Sequence, residues 1–349
     1  LSGGLKKSMK IDIILDPTHT TDEFLKLGLH AERLGFNAVL TANYPSAIDP
    51  FINFSILAKE TEKIKLGPIA ISPFETHPLK LSNLLYGMNQ LSKGRAKIII
   101  GGGGGTLISM GLKKNRRAMH PNMVQGVKEC VDFLKQLNPE KEINFNQEVF
   151  KIKGPKPNWI DQKRPEIFIG ASKAKMLSMA ASIADGIMMS DVPLMRIDEC
   201  MQIINQSLRH SKRSRTSISV SNLFSWHVKS NRKEAMSEAR KKLFVRGMLD
   251  NWYISKFLDE EECKIVEKKL HSFAMAYANN SDVIEGVPDY LIEKLIENLT
   301  FTGITNNVNQ FIDELIQFKN AGIDEFAIRL YEKPEESMKL IADKVLPNL

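Results

Sequence analysis

Eight short runs of β-branched and aliphatic residues, each followed by a longer amphipathic stretch, succeed one another along this 349-residue chain. They fall at 11–15, 38–40, 64–71, 96–100, 166–169, 186–189, 217–228 and 325–330. Between the first two, apolar Phe24, Leu27, Ala31 and Leu34 recur at helical spacing. Gly35 stands just beyond them, where a glycine closes a helix. The same spacing predicts helices over 51–62, 79–91, 123–137, 174–184, 195–208, 308–318 and 335–345. Strands alternating with helices imply parallel βαβ units. Eight such units in this length fit a closed (β/α)8 TIM barrel of α/β class better than an open doubly wound sheet. Pro68 breaks the third run and requires a bulge or a strand end there.

Two stretches stand outside the alternation and are read as insertions. Residues 138–165, after the fourth strand, hold Pro139, Pro155, Pro157 and Pro165; residues 231–300, after the seventh, are helical and charged. Residues 1–8 lack an apolar core and are read as a leader or remnant, which leaves 9–349 as one barrel domain. At 43% hydrophobic and 26% charged, the composition excludes a disordered, collagen-like or disulfide-stapled chain. The most apolar stretch, Ile98 to Leu112, is 15 residues with six glycines, short of the roughly 20 that span a bilayer. Cys130, Cys200 and Cys263 form no CxxC pair and no zinc cluster. Scattered thiols fit a reducing, cytoplasmic setting.

A net charge of +7 favours anionic partners, or simply marks a solvated lysine-rich surface. The basic runs 113–117 and 209–215 carry no interleaved aromatics on which bases would stack, so no nucleic-acid partner is expected. Barrels place their chemistry on the loops that follow strands. The first run lies on that side and the second on the other. The following loops carry Asp16 to His19, Asn43-Tyr44, Pro73 to His77, Gly101–Gly105, Gly170 to Ser172 and Ser190-Asp191. The five glycines form neither a P-loop nor G-x-G-x-x-G; they serve a flexible turn or the close approach of a flat ligand. Ser172 before a helix is either its N-cap or a phosphate contact. His19 and His77 are loop histidines, structural or catalytic. No H-x-H or H-E-x-x-H spacing supports a metal, no G-x-S-x-G supports a serine hydrolase, and Met176, Met179, Met188 and Met189 read as core filling.

Five segments in order resemble the bacterial luciferase-like family of flavin and deazaflavin oxidoreductases. They are HAERLGFNAVLTANY (30–44), EKIKLGPIAISPFETHP (62–78), GMNQLSKGRAKIIIGGG (87–103), PEIFIGASKAKMLSMAASIADGIMMS (165–190) and GITNNVNQFIDELIQFKNAGIDEFAI (303–328). Within the family, LGPIAISPFETHP and GASKAKMLSMAASIADG look most like the F420-dependent methylenetetrahydromethanopterin reductases. The resemblance implies a barrel with an insertion after the seventh strand. It also implies a third-strand bulge at Ile69–Ala70, often with a cis peptide, that backs the cofactor ring together with Gly101, Gly102 and Gly103. The family's phosphate site maps onto Gly170, Ala171, Ser172 and Ser190. Deazaflavin-dependent members commonly read Thr-Asp-His where this chain has Thr41-Ala42-Asn43, and carry acids near Gly104 and Ile14. The nearest replacements for those proton donors are Asp16, His19 and Glu75, while Asn43 contacts ring or substrate.

The expectation is a coenzyme F420-dependent reductase or dehydrogenase that moves a hydride between the deazaflavin and a small organic substrate, the 113–117 run drawing in the cofactor's anionic tail. The alternatives are an FMN-dependent monooxygenase supplied by a flavin reductase, and a flavin-binding barrel without catalysis. Relatives of this kind are commonly homodimers.

Overall fold

The computed structural model of the chain describes residues 8–115, 118–154 and 156–349. Residues 1–7 of the expected leader, Arg116 and Arg117 of the first basic run, and Pro155 lie outside the described residues. The elements begin with β1 (Lys10–Leu15), α1 (Thr21–Arg33), β2 (Ala38–Thr41), α2 (Pro50–Glu60), β3 (Lys65–Ile71), α3 (Pro78–Leu91) and β4 (Lys97–Ile100). Next come α4 (Gly105–Ser109), α5 (Met123–Gln136), β5 (Phe145–Asn146), β6 (Lys151–Ile152), β7 (Glu166–Gly170), α6 (Ala174–Ile183), β8 (Gly186–Met188) and α7 (Leu194–His210). The rest is β9 (Ser219–Lys229), α8 (Arg232–Lys242), α9 (Asn251–Ile254), α10 (Glu260–Lys268), α11 (Leu270–Ala278), α12 (Asp289–Leu299), β10 (Thr300–Ile304), α13 (Val308–Asn320), β11 (Glu325–Arg329) and α14 (Pro334–Leu340).

The fold is the (β/α)8 barrel, its eight strands being β1 to β4, β7, β8, β9 and β11, each on one of the expected runs. Two compact units make up the chain. Of the described residues, the first holds those of Asp12–Met188 and Gln202–Ser219; the second holds those up to Ile11 together with Met189–Met201 and Val220–Leu349.

In the first unit β1, β2, β3, β4, β7 and β8 are neighbours in that order, all parallel. Strands covered on both faces need apolar residues at every position rather than alternate ones. Accordingly Ile13, Leu40, Leu66, Ile98, Ile100 and Ile169 are all fully buried. Near the strand starts the interior is polar: Lys97 Nζ lies 2.7 Å from Asp12 Oδ2, both side chains wholly buried. Asn37 Nδ2 donates to Asp12 Oδ1 at 2.5 Å, and the ammonium sits 4.3 Å above the Phe168 ring. A Cβ on Gly67 would fall 1.5 Å from the Lys97 carbonyl oxygen, so only glycine lets β3 lie this close to β4.

Pro68 pairs with Thr41 on β2, and directly after it the register of β3 against β4 shifts between Ile69 and Ile71. The Ile69–Ala70 peptide bond is cis, as the resemblance implies. The 138–165 stretch carries an antiparallel hairpin, β5 with β6, which no sequence pattern announced. Its turn is held by the Glu129 carboxylate, which accepts the amides of Glu148, Val149 and Phe150 at 3.1, 3.0 and 2.9 Å.

In the second unit β9 is flanked by two parallel partners, β11 along Ser221–Ser225 and β10 along Ser225–Lys229. β10 is a strand that the sequence reading did not assign; it begins at the last residue of the expected 231–300 insertion. Phe224 packs against Phe301, Phe318 and Phe326 with ring centres 5.2 to 5.7 Å apart. Helices α8 to α12 occupy the expected 231–300 insertion and enclose a core that includes Leu243, Val266, Phe273 and Leu295.

Candidate active site

Asn43 follows β2 and Glu75 follows β3, and the structure joins them. Asn43 Nδ2 donates to Glu75 Oε1 at 2.9 Å, and the Ser72 amide donates to the same oxygen at 2.9 Å. Thr106, at the start of α4, bonds the same carboxyl, and its hydroxyl contacts the Asn43 carbonyl oxygen at 3.2 Å. Burial pushes the Glu75 carboxyl above the usual carboxylate range; the bonds from Ser72, Asn43 and Thr106 oppose this, and burial wins. Ser72 and Thr106 were not singled out from the sequence. Each is an ordinary polar loop residue until the loops after β3 and β4 meet.

The other two candidate acids and bases lie after β1. Asp16 Oδ1 accepts the amide and the hydroxyl of Thr18, at 2.9 and 2.6 Å, in a local turn. The half-buried His19 has its Nδ1 3.9 Å from Glu23 Oε2. Its Nε2 is buried with no partner among the described residues. His77 is structural: its Nδ1 accepts the Leu79 amide at 3.2 Å and caps α3.

The glycine segment divides in two. Side chains of the protein itself fill the space beside Gly102 and Gly103: a Cβ at either would lie 2.3 Å from Met123 Sδ or from Leu107 Cδ1. Gly103 also has φ +87°, the left-handed backbone that favours glycine. Gly101 differs. Its amide donates to Ile71 at 2.9 Å, and a Cβ there would lie 3.0 Å from the Ala70 methyl. Lys113 of the basic run donates to the Gly103 carbonyl at 3.2 Å.

After β7, the Ala171 amide belongs to the sheet, donating to Met188 at 3.0 Å. Helix α6 starts at Ala174 with Lys173 as N-cap and no capping side chain. Ser172 is therefore not the N-cap, because the helix begins one residue later than that reading requires. A Cβ on Gly170 would meet Ile99 Cγ2 at 3.5 Å, the Ile100 carbonyl oxygen at 3.7 Å and the Gly101 Cα at 4.0 Å, all ordinary contacts. The protein's own packing does not demand glycine at that position. Ala70, Gly101 and Gly170 thus form a strip without long side chains across the ends of β3, β4 and β7.

The family model of luciferase-like monooxygenases matches residues 9–325. The chain belongs to this family. The 5,10-methylenetetrahydromethanopterin reductase of Archaeoglobus fulgidus is 25% identical to it over 324 residues, 91% of this chain and 93% of that protein. The structure of the coenzyme F420-dependent tetrahydromethanopterin reductase from Methanopyrus kandleri superposes with a TM-score of 0.77 at 20% identity, over 97% of this chain and 99% of the other. An F420-dependent secondary alcohol dehydrogenase, in complex with an F420–acetone adduct, gives 0.77 at 15% identity over 98% and 99%. These structural likenesses establish the fold. Similar proteins include both F420-dependent reductases and FMN-containing monooxygenases, so the family is one of oxidoreductases.

In this luciferase-like barrel the second unit holds Ser190, whose hydroxyl donates to Asp191 Oδ2 at 2.8 Å. Asp191 also accepts Arg246 Nη1 at 2.8 Å and the Gly247 amide at 3.0 Å. Arg246 Nη2 donates to the Tyr331 hydroxyl at 3.2 Å. Asp191 was legible as a residue just after a strand; Arg246 stands in the 231–300 insertion with no motif around it. Among the described residues no three His, Cys, Asp or Glu side chains are grouped to hold a metal ion. No described helix is long and apolar enough to cross a membrane.

Proposed function

We propose that the chain is a coenzyme F420-dependent oxidoreductase that moves a hydride between the deazaflavin and a small organic substrate. One observation carries this reading: the strip Ala70–Gly101–Gly170 runs across three strand ends and leads to the uncapped N-terminus of α6. A flat ring needs a surface without protruding side chains, and a phosphate needs amides that no side chain has claimed. Ile69, Ala70 and Gly101 would back the ring, with Gly102 and Gly103 shaping the loop beside it. Gly170 to Ser172 and the first turn of α6 would hold the phosphate. When bound, the deazaflavin supplies or accepts the hydride. The chain contributes position and a proton. Asn43, Ser72 and Thr106 orient the Glu75 carboxyl, whose raised proton affinity suits it to hold and give up a proton to substrate. His19, on the loop that Asp16 shapes, is the second candidate polar group of the site.

Similarity along most of the chain to the Archaeoglobus reductase, together with the likeness to two F420-dependent enzymes, supports the deazaflavin over FMN. The test is to mix purified protein with reduced F420 or reduced FMN and follow visible absorbance and oxygen together. Tight F420 binding, with substrate-dependent reoxidation and no oxygen uptake, is the expected result. Oxygen uptake with FMN alone overturns the reading in favour of a monooxygenase. Binding without any redox response overturns it in favour of an inert barrel.

The oligomer we propose is a homodimer formed through α2 and α3. Ile52 and Ile56 lie one turn apart on α2, and Leu84 and Leu91 two turns apart on α3, all at least 40% exposed. Gly87 between the two leucines leaves open space. Apolar stripes on adjacent helices match the self-complementary surface of a two-fold interface. None of the three cysteines is in a disulfide, which suits a cytoplasmic setting.

A further inference from the structure

The longest stretch of this chain without an acid lies between Glu75 and Glu129, although the chain holds 41 Asp and Glu. Among its cations are Lys113 and Lys114, on the segment that joins α4 to α5 after β4. That segment carries no negative charge of its own. Exposed apolar side chains crowd the same place: Met110 at 50%, Leu112 at 44% and Met119 at 71%. Met119 is the most exposed large apolar residue among those described. Single apolar residues on a surface are ordinary. Three within ten residues, with lysine between them, mark an interaction surface.

The segment is pinned at both ends and stands clear between them. At the first end Leu107 is wholly buried, and its carbonyl accepts the amides of Leu112 and Lys113 at 2.8 and 3.1 Å. Lys113 turns inward to the Gly103 carbonyl. Gly111 makes the turn at φ +73°, and a Cβ there would meet nothing within 4 Å. At the second end the His120 ring stacks on Phe74 with 3.8 Å between centres. His120 Nδ1 also accepts the Asn122 amide at 3.3 Å. Between these anchors Met110, Leu112, Lys114 and Met119 are all exposed. The protein's own packing holds the segment in place without covering its apolar side chains.

We propose that Met110, Leu112, Lys114 and Met119 dock this protein reversibly on an anionic lipid surface. The three apolar side chains enter the boundary between headgroups and acyl chains, and the Lys114 ammonium meets the lipid phosphates and carboxylates. The interleaving decides for lipid against a protein partner. A stable protein interface buries about 1,200–2,000 Å² and keeps lysine out of its centre. Lys114 stands two residues from Leu112 and five from Met119. A bilayer accepts that spacing, because the long side chain lies along apolar surface while its charge stays in water. No described helix is long and apolar enough to cross a membrane, and the contact is peripheral. It does not depend on the oxidoreductase reading above.

Co-sedimentation of the full-length protein with vesicles tests this, using phosphatidylcholine alone and phosphatidylcholine mixed with phosphatidylserine. Binding to the mixed vesicles should be at least about fivefold tighter than to the neutral ones, and should weaken as salt rises. Met119→Ser should weaken it about tenfold, and Lys114→Gln about threefold to fivefold. Both residues are exposed, and an unchanged thermal midpoint by circular dichroism checks that the variants fold. No binding to the mixed vesicles, or binding that either substitution leaves unchanged, overturns the proposal. Soluble polyglutamate, as a stand-in for an acidic protein, should bind more weakly than the mixed vesicles. Tighter binding to polyglutamate would make the partner a protein and end the lipid reading.

Discussion

The Asn43 amide and the Glu75 carboxyl meet at 2.9 Å from the ends of two neighbouring strands, β2 and β3. The bond favours the ionised carboxylate, yet burial outweighs it and leaves the acid with a raised proton affinity. Asn43→Ala therefore raises the Glu75 pKa further, since a donor to the charged form is lost. In the direction where Glu75 gives up a proton, the basic limb of the pH–rate profile should move to higher pH. Glu75→Gln should lower kcat by about 10²–10⁴ with cofactor affinity little changed. Full activity in Glu75→Gln would remove this residue from the chemistry.

The barrel strands were legible because parallel strands buried on both faces read as unbroken apolar runs. Ile98-Ile99-Ile100 before Gly101, and Ile167-Phe168-Ile169 before Gly170, need no partner to be recognised. β10 was not legible. Thr300–Ile304 continues directly from α12, and only its pairing with β9 makes it a strand. The β5–β6 hairpin depends on Glu129, a carboxylate many residues upstream. The site follows the same rule. Asn43 and Glu75 could be placed on the right loops from strand polarity alone, but their bond, the role of Thr106 and the Arg246–Tyr331 contact arise only when separate loops converge. Beside Gly102 and Gly103 the structure packs Met123 and Leu107, a close approach that a run of glycines does not announce.

The exposed stripe on α2 and α3 makes the dimer testable by charge. Ile52, at 57% the most exposed residue of the stripe, loses little intramolecular packing when replaced. Ile52→Asp should leave the thermal midpoint of the fold within a few degrees. In sedimentation velocity it should shift the protein from dimer towards monomer, raising the dissociation constant about tenfold or more, because a charge would have to be buried without a partner. An unsubstituted protein that sediments as a monomer at micromolar concentration ends the proposal.

Lys97 opens β4 and Asp12 lies in the first half of β1, towards the end of the barrel where side chains serve stability rather than chemistry. Lys97→Met alone strands the Asp12 carboxylate in the interior and should cost about 3–5 kcal/mol in urea unfolding. Asp12→Leu combined with Lys97→Met should recover more than half of that loss, since an apolar pair needs no desolvation of charge. Cofactor affinity should stay unchanged in both variants. A double variant no more stable than Lys97→Met would show that the bond from Asn37 to Asp12, and not the ion pair, is the contact that matters.

Glu314 on α13 offers a stability switch separate from any active-site titration. Burial alone pushes its carboxyl up to about 7. A folded-state pKa above the unfolded value means the native protein holds this proton more tightly. Its contribution is fully present below the unfolded pKa and fades as pH rises towards about 7. Glu314→Gln keeps the neutral shape at every pH. The variant should match the parent in acid and exceed it above neutrality by on the order of 2 kcal/mol, read by denaturant unfolding at both ends of the range. Equal pH slopes in parent and variant would mean that the carboxylate reaches solvent and ionises freely in the folded chain.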